Sequence, residues 1–254
     1  MENNTENTAN NTENISSDKN YLKIINIRPF SNAYNFKLKE NDIILAVDGN
    51  YFHSSYEDLV KILEEDKNEK IITIFRDGVS FNIKTSNSLG VTCENIDEDH
   101  IKDFKKIDLE DYFSKDKFFN QYEVYKDMFR NGVVLNLTPS ILASLAPPLW
   151  MIYNRIWILF AFSIVFFAIM FYISPWLFFI SWVLKSWYYG NNQINVLRNY
   201  YRFIDHRLFI SICCKNEEEV QKKARELDPK IDFNFSYLDP PVKDEDLEED
   251  PVIN

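Results

Sequence analysis

From Ile156 to Leu184 the chain carries no charged residue, a run of 29 positions. No other feature limits its folding choices so tightly. A bilayer core of about 30 Å takes about 20 helical residues at ~1.5 Å each, so the run reads as membrane-embedded. It is too long for one upright span and too short for two unless its flanks join in. Leu149 to Tyr189 supplies 41 positions, two spans of about 20, with Arg155 and Lys185 reaching an interface with their charged ends.

The aromatic residues choose between one span and two. Trp and Tyr favour the headgroup level, where an apolar ring meets water at its polar tip. All five tryptophans lie in this region: Trp150 and Trp157, with Tyr153, mark one end, and Trp182 and Trp187, with Tyr188 and Tyr189, the other. Tyr172 and Trp176 flank Ser174-Pro175 midway. A hairpin turning at Ile173–Trp176 puts that middle pair at the far interface and brings Arg155 and Lys185 to one near face. The alternative is a single long helix, tilted and kinked at Pro175. We expect the hairpin, with spans over about 149–172 and 175–189 inside a membrane region 132–189. Its interface residues are Trp150, Tyr153, Arg155, Trp157, Trp176, Trp182, Lys185 and Trp187. Gly132 to Tyr153, uncharged but broken by Pro139, Pro147 and Pro148, reads as interfacial or re-entrant chain.

The formal net charge of −11 over 254 residues argues against nucleic acid as a partner, since so acidic a balance offers no extended basic face to displace counterions from phosphates. Met1 to Asn20 has no apolar signal core, so the front of the chain is expected on the cytoplasmic side. Lys185, Arg198, Arg202 and Arg207 follow the spans and put that flank there too. The expected location is therefore integral to a bacterial inner membrane with both termini cytoplasmic. The three cysteines, Cys93, Cys213 and Cys214, give no disulfide framework. The adjacent pair, on a strand, points to opposite faces and reads as free buried thiols.

Residues 1–20, rich in Asn, Thr, Glu and Ser, have almost nothing to bury and are expected to be disordered. A compact pattern then begins. Leu22, Ile24, Ile25 and Ile27 form a strand, Ser31 to Phe36 a short helix, and Ile43 to Val47 a buried strand ended by Asp48-Gly49. Ser54 or Ser55 caps a helix whose apolar face is Leu59, Ile62 and Leu63. Ile71 to Phe75 leads to the turn Arg76-Asp77-Gly78 and a return strand of Val79, Phe81 and Ile83.

Ser31, Ala33, Leu38, Asp42, Ile43, Ile44, Leu45, Val47, Asp48 and Gly49, followed by the Arg76-Asp77-Gly78 hairpin, stand where the PDZ family has matching residues. Residues 21–96 thus resemble a PDZ domain of the bacterial, protease-associated type. Lys37 and Asn41 occupy two positions where that family has glycine; a lysine in the left-handed region costs about 1 kcal/mol or more. The resemblance implies capture of a protein or peptide C-terminus by strand addition beside a Gly-rich carboxylate loop. That loop is missing before Leu22, and its nearest relative is Leu89-Gly90-Val91. The implied docking residues are Tyr21, Leu22, Lys23 and Ile24 as the edge, with Leu59, Ile62 and Leu63 lining the groove. The alternative is a PDZ fold kept as a rigid spacer.

In the connector 97–131, Phe118, Tyr122, Tyr125 and Phe129 fall at near-helical spacing. This predicts an amphipathic helix packed on the preceding domain or lying along the membrane. Pro148, Leu149, Trp150, Tyr153 and Trp157 then resemble the pattern that precedes an apolar hairpin in the uncharacterised bacterial membrane family DUF2628, over roughly 142–207; Asn154 stands where that family has Arg. The resemblance implies membrane residence and no chemistry. Beyond it, residues 190–238 hold an apolar strand, Leu208 to Cys214, a helix capped by Asn216 and ended by Pro229, and a strand of Ile231, Phe233 and Phe235. These form a β-α-β unit, or two strands that complete another sheet. An acidic disordered tail, 239–254, closes the chain.

The expected fold class is α+β: a PDZ-like sandwich or barrel, then an α-helical transmembrane hairpin, then a small β-α-β segment. His53, His100 and His206 are too scattered for a metal motif, no nucleophile or phosphate-loop motif occurs, and each of the five glycines has a turn or boundary reading. No cofactor, metal or catalytic residue is expected, and the chain is not expected to be an enzyme. The functional expectation is a membrane-anchored interaction module that binds a peptide tail, with the lipid bilayer and an integral membrane protein as further partners. The alternative is an accessory subunit of a membrane protease or transporter.

Overall fold

The computed structural model describes residues 20–65, 68–98, 101 and 119–241. Most of both expected disordered tails, and Phe118, lie outside the described residues.

Six strands make the first sheet: β1 (Asn20–Ile27), β2 (Ile43–Val47), β3 (Asn50–Tyr51), β4 (Lys70–Arg76), β5 (Val79–Thr85) and β6 (Val91–Asp97). They lie in the order β5-β4-β2-β1-β6, with β3 paired to β2. Two Asp-Gly turns set the hairpins. Asp48 and Gly49, like Asp77 and Gly78, have φ near +49° and +82°, the paired positive values of a turn that follows the strand twist. Helix α1 (Asn32–Phe36) starts where Ser31 accepts from the Tyr34 amide at 3.3 Å. It ends at Lys37, which holds the left-handed conformation (φ 61°, ψ 35°) despite its side chain. Helix α2 (Tyr56–Glu65) is capped by Ser55, whose Oγ accepts from the Asp58 amide. Leu59 and Leu63 bury its inner face with Leu22, Ile24, Ile44, Ile72 and Ile74.

The second sheet has the order β10-β8-β7-β9, from β7 (Asn120–Lys126), β8 (Asn131–Asn136), β9 (Arg207–Cys214) and β10 (Asp232–Phe233). Of the aromatic stripe expected on an amphipathic helix, Tyr122 and Tyr125 lie on strand β7 and Phe129 in the exposed turn that follows it. Strand pairing on both sides of β7 outweighs the spacing, and Tyr122 and Tyr125, three residues apart, fall on opposite faces of the strand. Tyr122 and Val124 join the core shared with the first sheet, while Tyr125 joins the helix side. Only two residues of the expected final strand pair, in parallel with β8.

Between β8 and β9 run four helices: α3 (Ile141–Leu145), α4 (Pro147–Tyr153), α5 (Trp157–Ile173) and α6 (Pro175–Phe203). The hairpin at Ser174-Pro175 exists, but its arms are not membrane spans. The stretch 149–172 is cut by a corner at Arg155 (φ 60°), leaving α5 with 17 residues, about 25 Å. The 29 residues of α6 carry Lys185 and then a polar second half with Asn191, Asn192, Gln193, Arg198 and Arg202. Among the described residues no helix is long and apolar enough to cross a membrane. The expected transmembrane hairpin is thereby overturned, and with it the inner-membrane location with both termini cytoplasmic.

Helix α7 (Glu217–Leu227), capped by the Asn216 side chain accepting from Glu219 N at 2.8 Å, leads from β9 to β10. It packs Val220 and Ala224 into the shared core. Strand β5 lies alongside β9 without a ladder between them, and α7 covers both.

Candidate functional site

The first sheet has two edges, and they differ. Strand β5 is covered by β9 and α7, whereas among the described residues no strand pairs with the outer side of β6. Strand β6 begins at a tight turn whose position is fixed by three hydrogen bonds. The Ala33 amide donates to Leu89 O (3.0 Å), Arg28 N to Gly90 O (3.1 Å) and Asn32 Nδ2 to Ser88 O (2.9 Å). Gly90 has φ +70°, and a Cβ there would come within 2.7 Å of Ser31 Cβ, so no other residue fits without strain. Among the described residues the N–H groups of Leu89 and Gly90 donate to no other group. An open strand edge that starts beside unsatisfied amides suits an extended chain ending in a carboxylate. Tyr56, at the start of α2, packs onto this end of the core. Burial pushes its phenol pKa up, while the Val91 backbone beside it pulls the other way.

The residues expected to form the docking edge lie one strand further in. Strand β1 is paired on both sides, with Leu22 opposite Ile44 of β2 and Asn95 of β6, and Lys23 opposite Glu94, its ion-pair partner at 3.3 Å. Tyr21, Leu22 and Ile24 are buried, as are Leu59 and Leu63. Ile62 is the one apolar residue of the expected α2 face that reaches the surface. A peptide has no access to β1; the accessible edge is β6, which the sequence flagged only through Leu89-Gly90-Val91.

The expected interface residues scatter. Trp150 is 1% exposed and packs with Tyr125, Met151 and Tyr201 beneath the second sheet. Arg155 stacks on Phe235, 3.1 Å from the ring centroid. Trp182 lies half-buried against Phe167 and Phe178. Lys185 donates to Ser163 Oγ at 3.3 Å and sits over the Phe166 and Phe167 rings. Burial pulls its ammonium below the usual lysine range. Tyr153, Trp157, Trp176 and Trp187 are exposed. The hairpin is thus inverted relative to the sheets: Ser163, Phe167 and Ser186 are buried between its arms, while Phe162, Val165, Phe179 and Val183 face outward.

A cavity of about 390 Å³ lies against the outer end of the second sheet, lined in part by Arg155, Glu217, Tyr200, Tyr201 and Gln221. Burial pushes the Glu217 carboxyl up, with Arg155 acting against it, and the Tyr201 phenol is pushed up to about 12. Both Gln221 amide atoms are engaged, by Phe235 O and Tyr237 N. Burial raises the thiol pKa values of Cys93 and Cys213 to about 12, and Cys214 is shifted the same way, so burial disfavours the thiolate at all three. No group of His, Cys, Asp and Glu among the described residues is arranged to hold a metal ion.

Fold and edge together define an α+β chain of two sheets that share a core, with the outer edge of β6 open among the described residues and an apolar hairpin facing outward. No protein-family model matches the chain, and no curated protein is similar to it.

Proposed function

We propose that this protein is a non-catalytic interaction module that takes an extended peptide onto the outer edge of β6, with the peptide's terminal carboxylate at the Leu89-Gly90 turn. The observation that carries this reading is that, among the described residues, the outer edge of β6 is unpaired and begins at amides that donate to no other group. The resemblance of residues 21–96 to the PDZ family supports it. Side chains of a bound strand would meet α2, with Tyr56 at the turn end and Ile62 further along. The test is titration of a fluorescent C-terminal peptide library into the whole chain, followed by anisotropy. The expected result is saturable binding at roughly micromolar Kd, lost when the peptide is amidated at its C-terminus. No binding at millimolar protein, or binding indifferent to amidation, refutes it.

The α5–α6 hairpin favours a second reading, an accessory subunit whose apolar arms pack against apolar helices of a partner protein. Large exposed apolar patches on otherwise polar proteins mark such contacts. Purification of the chain alone as a monodisperse monomer, without detergent, argues against this reading.

A further inference from the structure

Between α1 and the corner joining α6 to β9 lies a cleft of about 510 Å³, bordered by Lys37, Arg202, Asp205, His206 and Arg207. In a chain of net charge −11, this one cleft carries three cations against a single carboxylate. Among the described residues neither Arg202, Arg207 nor Lys37 has an ion-pair partner, and the Lys37 ammonium touches only the Tyr34 ring, 4.7 Å from its centroid. His206 is 9% exposed; its Nδ1 donates to Ile204 O at 2.9 Å, and its buried Nε2 has no partner. A buried nitrogen left without a partner in a native fold calls for an explanation.

An ordinary account covers part of this. Lys37 ends α1, and Arg202 lies in the last turn of α6, where cations complement the helix dipole. That account leaves out Arg207, which is on β9, and the imidazole nitrogen. It also leaves out why a lysine holds a left-handed position that glycine adopts freely. Backbone strain retained beside a charged cleft points to a use for the side chain.

We propose that the cleft binds a phosphate-bearing ligand. Arg202 and Arg207 supply two guanidinium forks suited to phosphate oxygens, and Lys37 a third positive charge from the first sheet's side. A ligand held there bridges the two halves of the molecule. This assignment uses none of the residues that would hold a peptide at β6: its cations are Lys37, Arg202 and Arg207.

Calorimetric titration of the whole chain with inorganic phosphate and with phenyl phosphate, at constant ionic strength in chloride, tests it. The expected result is saturation at roughly millimolar Kd or below. The Arg202→Gln/Arg207→Gln double variant is expected to lose at least tenfold in affinity, and Lys37→Gly several-fold. Lys37→Gly relaxes the backbone, so it reads the lost charge in an intact fold. The His206 imidazole resonances shift on phosphate addition in the wild type alone. Tighter binding of phenyl phosphate identifies an ester as the ligand, and tighter binding of the free ion identifies inorganic phosphate. No saturation by roughly 50 mM, or unchanged affinity in both variants, overturns the proposal.

Discussion

Single residues carry more of this fold than their positions in the sequence suggest. Asp42 and Arg76, 1% and 5% exposed, form a two-pronged ion pair at 2.6 and 2.7 Å, and Asp42 also accepts from Lys39 N while Arg76 donates to Lys37 O. Removing one partner strands a buried charge, so Asp42→Ala is expected to cost about 3–5 kcal/mol in denaturant unfolding. Lys37→Gly has the opposite sign: release of the left-handed strain is expected to add up to about 1 kcal/mol. Glu217 gives a pH signature. Its folded-state pKa is raised by burial, so the folded chain binds this proton more tightly than the unfolded one. The stability it confers is present at low pH and is lost as pH rises through the folded pKa. Thermal melts should therefore show Glu217→Gln more stable than the wild type at pH 7, with the difference gone below about pH 4, the ordinary glutamate range.

At the scale of elements, strands β1, β2, β4 and β5 and the caps at Ser55 and Asn216 were readable because local chemistry decides them: turn residues with positive φ, a side chain reaching an amide, alternation between faces. Three elements were not readable, each because a distant partner decides them. Spacing alone makes Tyr122 and Tyr125 look helical, yet β8 and β9 on either side hold them in a sheet. The edge chosen from Tyr21–Ile24 is closed by β6, nearly seventy residues later in the chain. Apolar length suggested two spans, but the left-handed corner at Arg155 and the burial of Trp150 and Met151 under the sheet divide that length into a packed helix and a short exposed one. Gly190, with a boundary reading in the sequence, is inside α6, where an added Cβ would run into Ser144 of α3. Gly190→Ala is expected to destabilise the chain by about 1–3 kcal/mol, and Ser144→Gly in the same chain to restore most of that, as measured by urea unfolding.

For the molecule as a whole, the decisive fact is that the core crosses from one sheet to the other. Leu22, Ile72 and Ile83 share one apolar cluster with Val124, Ile212 and Ala224. The two halves should therefore unfold together. All five tryptophans lie between Trp150 and Trp187, so their fluorescence reports the second half alone, while far-ultraviolet circular dichroism reports both. The two denaturation curves are expected to coincide; separated midpoints would mean the halves are independent. The covering of β5 by β9 and α7 has a practical corollary for anyone who trims this protein. A fragment cut after Asp97 would bare a seven-residue strand with a row of unsatisfied amides and carbonyls, beside apolar side chains such as Phe81 and Ile83. A strand left open in that way recruits its own kind, so the isolated front half should precipitate where the intact chain stays dispersed.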